Sequence, residues 1–200
     1  MTPDGGGRVP RAGLSREAVV DLAVDLVDAD GFAALTLAAV AGRAGVAVPS
    51  LYKHIGSLAA LRASVALVAG RELTRRISAA TVGRSGDDAL RALGHAIRGF
   101  ARQHPGLYAA TQQAPDPEGE SGVELAQAAA DAVEVVGAVL RGFGLPPSRT
   151  VDAIRTARSA LHGFVALEAG GGFGMPDSVD DSFEVLLDVV CAGMHELARA

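Results

Sequence analysis

Four side chains within five residues, Ser50, Tyr52, Lys53 and His54, can together do one kind of chemistry, hydrogen bonding and charge pairing to a nucleic acid. A hydroxyl, a phenol, an ammonium and an imidazole all bond phosphate oxygens or base edges. Strong reading of the major groove usually takes Arg to guanine, or Asn and Gln to adenine. This chain has no Asn, its four Gln all lie beyond residue 100, and Lys53 is its only lysine. Lys53 is therefore the best candidate for a guanine contact, with a phosphate as the alternative, and Val48 and Pro49 can touch thymine methyl groups. Other chemistries are poorly served. The five histidines, His54, His95, His104, His162 and His195, form no H-E-x-x-H pair and no cluster with the single cysteine, Cys191. His195-Glu196 reads as a helix cap. Gly170–Gly174 follows a helix rather than a strand and lacks dinucleotide-binding spacing. There is no Walker lysine and no G-x-S-x-G elbow. No catalytic residue, metal or cofactor is expected, and the chain does not read as an enzyme.

The elements that must hold these side chains out are two short helices and a tight turn. Thr36 has an N-cap side chain, able to accept a bond from an otherwise unpaired N–H of the first turn. Leu37, Val40 and Ala41 then make one apolar stripe. Ala44-Gly45-Val46 interrupts it, with Gly45 free to take a positive φ. A second helix begins near Val48 with Pro49 in its first turn, where a missing N–H costs nothing. It is expected to run to Ile55 and to bury Leu51 and Ile55. Such a helix-turn-helix offers its second helix to the major groove. Ahead of it, Ser15 caps a helix to about Asp30 with a stripe of Val19, Leu22, Ala23, Leu26 and Val27, while Asp21, Asp25 and Asp28 face out. Gly31 closes it as a C′ glycine, and Phe32 and Leu35 fill the small core.

Leu51-Tyr52-Lys53-His54-Ile55, with Thr36-Leu37 and Ala44-Gly45-Val46 before it, closely resembles the signature of the TetR (tetracycline repressor) family, in register from about Leu14 to Leu61. The resemblance implies DNA contacts at Val48, Pro49, Ser50, Tyr52, Lys53 and His54, with Tyr52 and His54 mostly on the backbone, and a phosphate contact at Thr36. Leu58 and Ala38 stand where family members often carry lysine or a polar residue, which implies fewer phosphate contacts and a greater need to dimerise. Further along, Phe100-Ala101-Arg102-Gln103-His104-Pro105-Gly106-Leu107-Tyr108 resembles the regulatory domain of one subgroup. Leu161-His162-Gly163 stands at that subgroup's Trp-His-Gly motif, with Leu for Trp. The resemblance further implies a homodimer through a four-helix bundle of the last two helices, a palindromic double-stranded DNA operator, and repression relieved by a small-molecule effector. A helical binding protein or enzyme with a vestigial helix-turn-helix is the alternative.

Composition fits this division of labour. The chain has 200 residues, 49% of them hydrophobic and 4% aromatic, with few of the β-branched and aromatic clusters that mark strands. An all-α fold of about nine helices is expected. Residues 1–84 carry 10 Lys+Arg against 7 Asp+Glu, net +3, and residues 85–200 carry 8 against 16, net −8. A basic front and an acidic back suit a DNA-reading unit joined to one that faces away from phosphate. Three parts are expected: a disordered Gly/Pro arm over 1–13, a helix-turn-helix domain over 14–56, and a regulatory domain over 57–200. Arg8 and Arg11 make the arm either an inert tail or a cationic reach into the minor groove. Ser57 should cap a fourth helix to about Ile77 that packs through Leu58, Leu61, Val65, Leu67, Val68 and Leu73. Later helices are expected from Asp87 or Asp88, over 123–140, over 148–169 and over 179–197. A hydrophobic effector pocket between them has as candidate walls His95, Phe100, His104, Tyr108, Gln112, Phe143, His162 and Phe164. The absence of an apolar leader, of a long uncharged run and of paired cysteines fits the cytoplasm.

Overall fold

The computed structural model describes residues 14–114, 116, 118–119 and 121–199, so the arm over 1–13 lies outside the described residues. Helices α1 (Arg16–Asp30), α2 (Leu37–Ala44) and α3 (Val48–Leu51) come first, with a 3₁₀ turn at Phe32–Ala34. They are followed by α4 (Leu58–Thr81), α5 (Gly86–Gln103), α6 (Pro105–Ala110), α7 (Gly122–Arg141), α8 (Thr150–Ala169) and α9 (Val179–Arg199). Among the described residues there is no strand.

The starts of the front helices are set by local hydrogen bonds. Ser15, Thr36 and Ser57 each accept a backbone N–H three residues on, at 3.2, 3.1 and 3.0 Å. Gly45 closes α2 in the left-handed region at φ 66°, which an L side chain would resist. Gly31 closes α1 at φ 87°. The second helix of the motif is shorter than its sequence suggests. It ends at Leu51 because the Leu51 carbonyl accepts both the His54 N–H (2.8 Å) and the Ile55 N–H (3.0 Å), tightening the last turn. Other boundaries move as well: α4 continues four residues past Ile77 to Thr81, α8 starts at Thr150 after a 3₁₀ turn at Pro147–Arg149, and α9 runs on to Arg199.

Two buried clusters result. The front one joins Val19, Leu26, Val27, Leu35, Val40, Leu51, Ile55, Leu61 and Val65 to Phe100, Leu107 and Tyr108 from α5 and α6. The rear one is built on Leu90, Leu93, Leu140, Leu161, Phe183, Leu187 and Met194. Helix α4 belongs to both, entering the front cluster through Leu61 and Val65 and the rear one through Ile77. Its buried side is richer in alanine than the stripe read from sequence: Ala60, Ala66 and Ala69 are buried, whereas Val68 is exposed. Helix α6 reaches the head by close approach. Gly106 lies so near the end of α1 that an added Cβ would sit 2.0 Å from the Val27 carbonyl oxygen.

Candidate nucleic-acid interface and helical cavity

Burial sorts the α3 region into anchors and free side chains. Leu51 and Ile55 are 0% and 2% exposed and sit in the front cluster, so they fix the segment. Tyr52 is 56% exposed, Pro49 and Lys53 are exposed, and Val48, Ser50 and His54 are half-buried. Among the described residues Lys53 has no ion-pair partner, and an exposed ammonium aimed at water is free to meet phosphate or a guanine edge. Thr36 is exposed and its oxygen is taken as the cap acceptor, leaving its hydroxyl proton for an outside acceptor. Six of the seven residues expected on DNA thus lie within 48–54, and Thr36 caps the neighbouring helix α2. The nearby Arg43 is committed elsewhere, donating to Asp30 at 2.7 Å.

The head is tied to the body at His104. Its Nδ1 lies 2.8 Å from an Asp28 oxygen on α1, and its Nε2 lies 3.2 Å from Arg76 Nη2 on α4. A guanidinium can only donate, so Nε2 accepts and Nδ1 carries the proton that goes to Asp28. Arg76 also donates to Glu72 (2.7 Å) and Gln103 (2.8 Å) and lies over the Phe100 ring. Together with Arg75, this holds the Glu72 carboxyl at about 2, well below the usual range. His104 and Phe100 therefore belong to this seam and not to a pocket wall. His95 faces outward to Glu184 at 3.1 Å, edge-on to Phe183. Phe164 packs on Phe173 and Phe183 beneath the Arg98 guanidinium. Arg98, nearly fully buried, is paired with Glu168 at 2.6 Å and Asp180 at 2.7 Å, and this pairing keeps the Glu168 carboxyl low. Phe143 is buried in the rear cluster, edge-on to His195, whose Nε2 reaches Asp87 at 2.8 Å instead of capping its own helix.

Of the expected wall residues, Tyr108, Gln112 and His162 are brought together. They line a cavity of about 160 Å³ bounded by α4, α5, α6, α7 and α8. Its α4 and α7 walls are small and aliphatic, including Gly70, Leu73 and Ile77 on one side and Ala128, Ala132 and Val136 on the other. The Tyr108 hydroxyl lies 3.0 Å from His162 Nδ1, and burial pushes the phenol up to about 12, so it stays a neutral hydrogen-bonding group. Arg158, which sequence reasoning missed, lines the same cavity. It sits one helical turn before His162, a spacing that puts both on one face of α8.

Comparison with known proteins identifies the family and the fold. Residues 19–65 match the family of bacterial regulatory proteins named after tetR, and residues 90–190 match the tetracyclin repressor-like C-terminal domain. The chain belongs to the TetR family. An uncharacterised HTH-type transcriptional regulator of Mycobacterium tuberculosis is 36% identical over 98% of this chain and 93% of its own. A second, YobS of Bacillus subtilis, is 32% identical over 92% and 95%. Among solved structures, a TetR regulator of Streptomyces coelicolor superposes with a TM-score of 0.67 at 22% identity, over 93% of this chain and all of that one. A TetR variant of Acinetobacter baumannii, solved in complex with minocycline, gives 0.64 at 24%, over 93% and 99%. The chain is thus a DNA-binding transcriptional regulator of this family, with an all-helical fold. Among the described residues no helix is long and apolar enough to cross a membrane.

Proposed function

We propose that the chain is a ligand-responsive repressor that binds a palindromic operator as a homodimer, with residues 14–56 as the reading head and 57–200 as the regulatory and dimerising part. The observation that carries this reading is the split at α3: Leu51 and Ile55 are sealed in the core while Tyr52 and Lys53 stand exposed. Val48, Pro49, Ser50, Tyr52, Lys53, His54 and Thr36 are the contact set.

Dimerisation is supported by the outer faces of α8 and α9. Val185 and Val189 on α9 are 60% and 63% exposed, and Gly193 continues the same stripe. On α8 the exposed or half-buried Thr156, Ser159, Gly163, Ala166 and Leu167 are small or apolar. Faces of this kind let helices from two subunits pack closely into a bundle. Two heads then meet one side of a duplex about 34–36 Å apart.

The cavity takes the effector, and α4 carries the signal, because one end of α4 is packed into the head and the other forms the cavity wall. An effector that fits a tilted α4 better than the DNA-bound one favours a head spacing that no longer matches the operator. The minocycline held by the Acinetobacter relative supports a small-molecule effector here, without identifying it. The work takes place in the cytoplasm.

Titration of the homodimer against DNA from upstream of its own gene tests this. Specific binding at least about a thousandfold tighter than to random DNA, and steeply weakened by salt, is expected. Equal affinity for both would overturn the reading in favour of a vestigial head.

A further inference from the structure

We infer that the effector is a small amphipathic acid, with an aliphatic body in the α4–α7 part of the cavity and an anionic head against Arg158 and the Tyr108–His162 pair. This rests on the proposed effector role of the cavity and adds the chemical class.

The cavity has two unlike ends. Its α4, α5 and α7 walls are apolar (Leu73, Ile97 and Val136 among them), while its hydrogen-bonding groups come from α6, the residues just after it, and one face of α8. The polar end is coherent. Thr111 donates to the Tyr108 carbonyl at 2.7 Å, Gln112 donates to the Thr111 hydroxyl at 2.8 Å, and Tyr108 is hydrogen-bonded to His162. Arg158 lies close enough for its charge to be felt by the Tyr108 phenol.

Arg76, Arg91 and Arg98 each have a carboxylate partner. Like Arg62, Arg71 and Arg155, Arg158 has no carboxylate partner among the described residues, and of these four it is the one that borders the cavity. Among the described residues no Asp or Glu lines the cavity. A guanidinium beside a low-dielectric space with no counter-charge favours an anion there, and its planar fork suits a carboxylate held through two hydrogen bonds. With the proton on His162 Nδ1, the tyrosine hydroxyl accepts from the imidazole and its own hydrogen, kept on by burial, can donate a third bond to the ligand. At about 160 Å³ the cavity is close to the roughly 150 Å³ that admits a six-carbon ring, so the body is a short alkyl chain whose charged end lies outside the enclosed space, at the exposed Arg158. The walls carry mostly small aliphatic side chains, with rings only at Tyr108 and His162 among the described residues, which suits an alkyl chain better than a flat stacked ring system.

Calorimetric titration of the full chain with octanoate and its neutral near-isostere octanamide, at low and high salt, tests the assignment. Octanoate is expected to bind about tenfold or more tighter than octanamide at low salt, with the gap narrowing as salt screens the exposed head. The exposed Arg158→Gln is expected to unfold at the wild-type temperature and to bind the two alike. Equal affinities in the wild type, or a preference for acid that survives Arg158→Gln, would overturn the anionic head while leaving the cavity as the effector site. Failure of both compounds to bind the wild-type protein would overturn the effector role of the cavity together with its anionic head.

Discussion

Gly106→Ala should destabilise the protein, although the same change at most helical positions does the reverse. In a helix, Ala gains about 0.4–1 kcal/mol over Gly by narrowing the unfolded ensemble. At Gly106, however, an added Cβ would stand 2.0 Å from the Val27 carbonyl oxygen and 3.0 Å from the Gly31 Cα. A carbon and a carbonyl oxygen need roughly 3.3 Å, so α6 and α1 would have to part by about an ångström. The Val27 carbonyl cannot simply turn away, because it accepts the Gly31 N–H at 2.9 Å and closes α1. Overpacking of this kind costs about 1–3 kcal/mol, enough to outweigh the propensity gain. For a chain of this size that corresponds to roughly 3–10 °C in melting temperature. The displacement also reaches the neighbouring His104–Asp28 bond, 2.8 Å in the native protein, which ties head to body. Urea unfolding and thermal scans at fixed protein concentration measure the effect. Gly99→Ala is the control, since a Cβ there meets nothing within 4 Å; it should be neutral or stabilising. If Gly106→Ala matched Gly99→Ala, the close seating of α6 on the head would be wrong.

Three further outcomes follow from the same structure. Lys53→Ala should cut operator affinity by ~1–3 kcal/mol per half-site with no loss of stability. A base contact would relax specificity at one position, a phosphate contact would lower the salt slope by about one per copy, and unchanged affinity would make Lys53 a bystander. Gly70→Leu should fill the cavity from α4, where a Cβ meets open space, abolishing release by effector while leaving operator binding intact; a normal response in a filling assay would refute the site. Acid should destabilise through Glu72 and Glu168. Their folded-state carboxyls are depressed by Arg75, Arg76 and Arg98. The stability they contribute is therefore full above the unfolded value of 4.5 and, for Glu72, lost as pH falls from there towards about 2. Glu72→Gln should flatten that part of the stability–pH curve, and an unaltered slope would speak against the bond pattern.

The front of the molecule is legible in its sequence because its signals are local. A Ser15, Thr36 or Ser57 oxygen reaches an N–H three residues away, and Gly45 answers a turn inside four residues, so side-chain type alone nearly settles the outcome. The end of α3 is not legible in this way: which N–H groups share the Leu51 carbonyl depends on how Ile55 is seated in the core. The cavity is harder still. Phe100 and Phe164 have the aromatic character of a ligand wall, yet Phe100 is drawn under Arg76 and Phe164 against Phe183 by partners far away in the chain. Arg98 meets Glu168 across 70 residues and His104 meets Asp28 across 76. Such pairings leave no periodic trace. Tyr108 and His162 lie in the motifs that carry the resemblance and Gln112 could be named as a candidate wall beside them, but Arg158 became visible only once α8 had a face turned to the cavity.

Hydroxyl-radical footprinting of the homodimer on its upstream DNA, with the Lys53→Ala protein alongside, tests the central claim most directly. Two protected patches on one side of the duplex, centred about one helical turn apart and weakened together by Lys53→Ala, are the predicted result. Protection no stronger than on random DNA, or a footprint indifferent to Lys53, would contradict it.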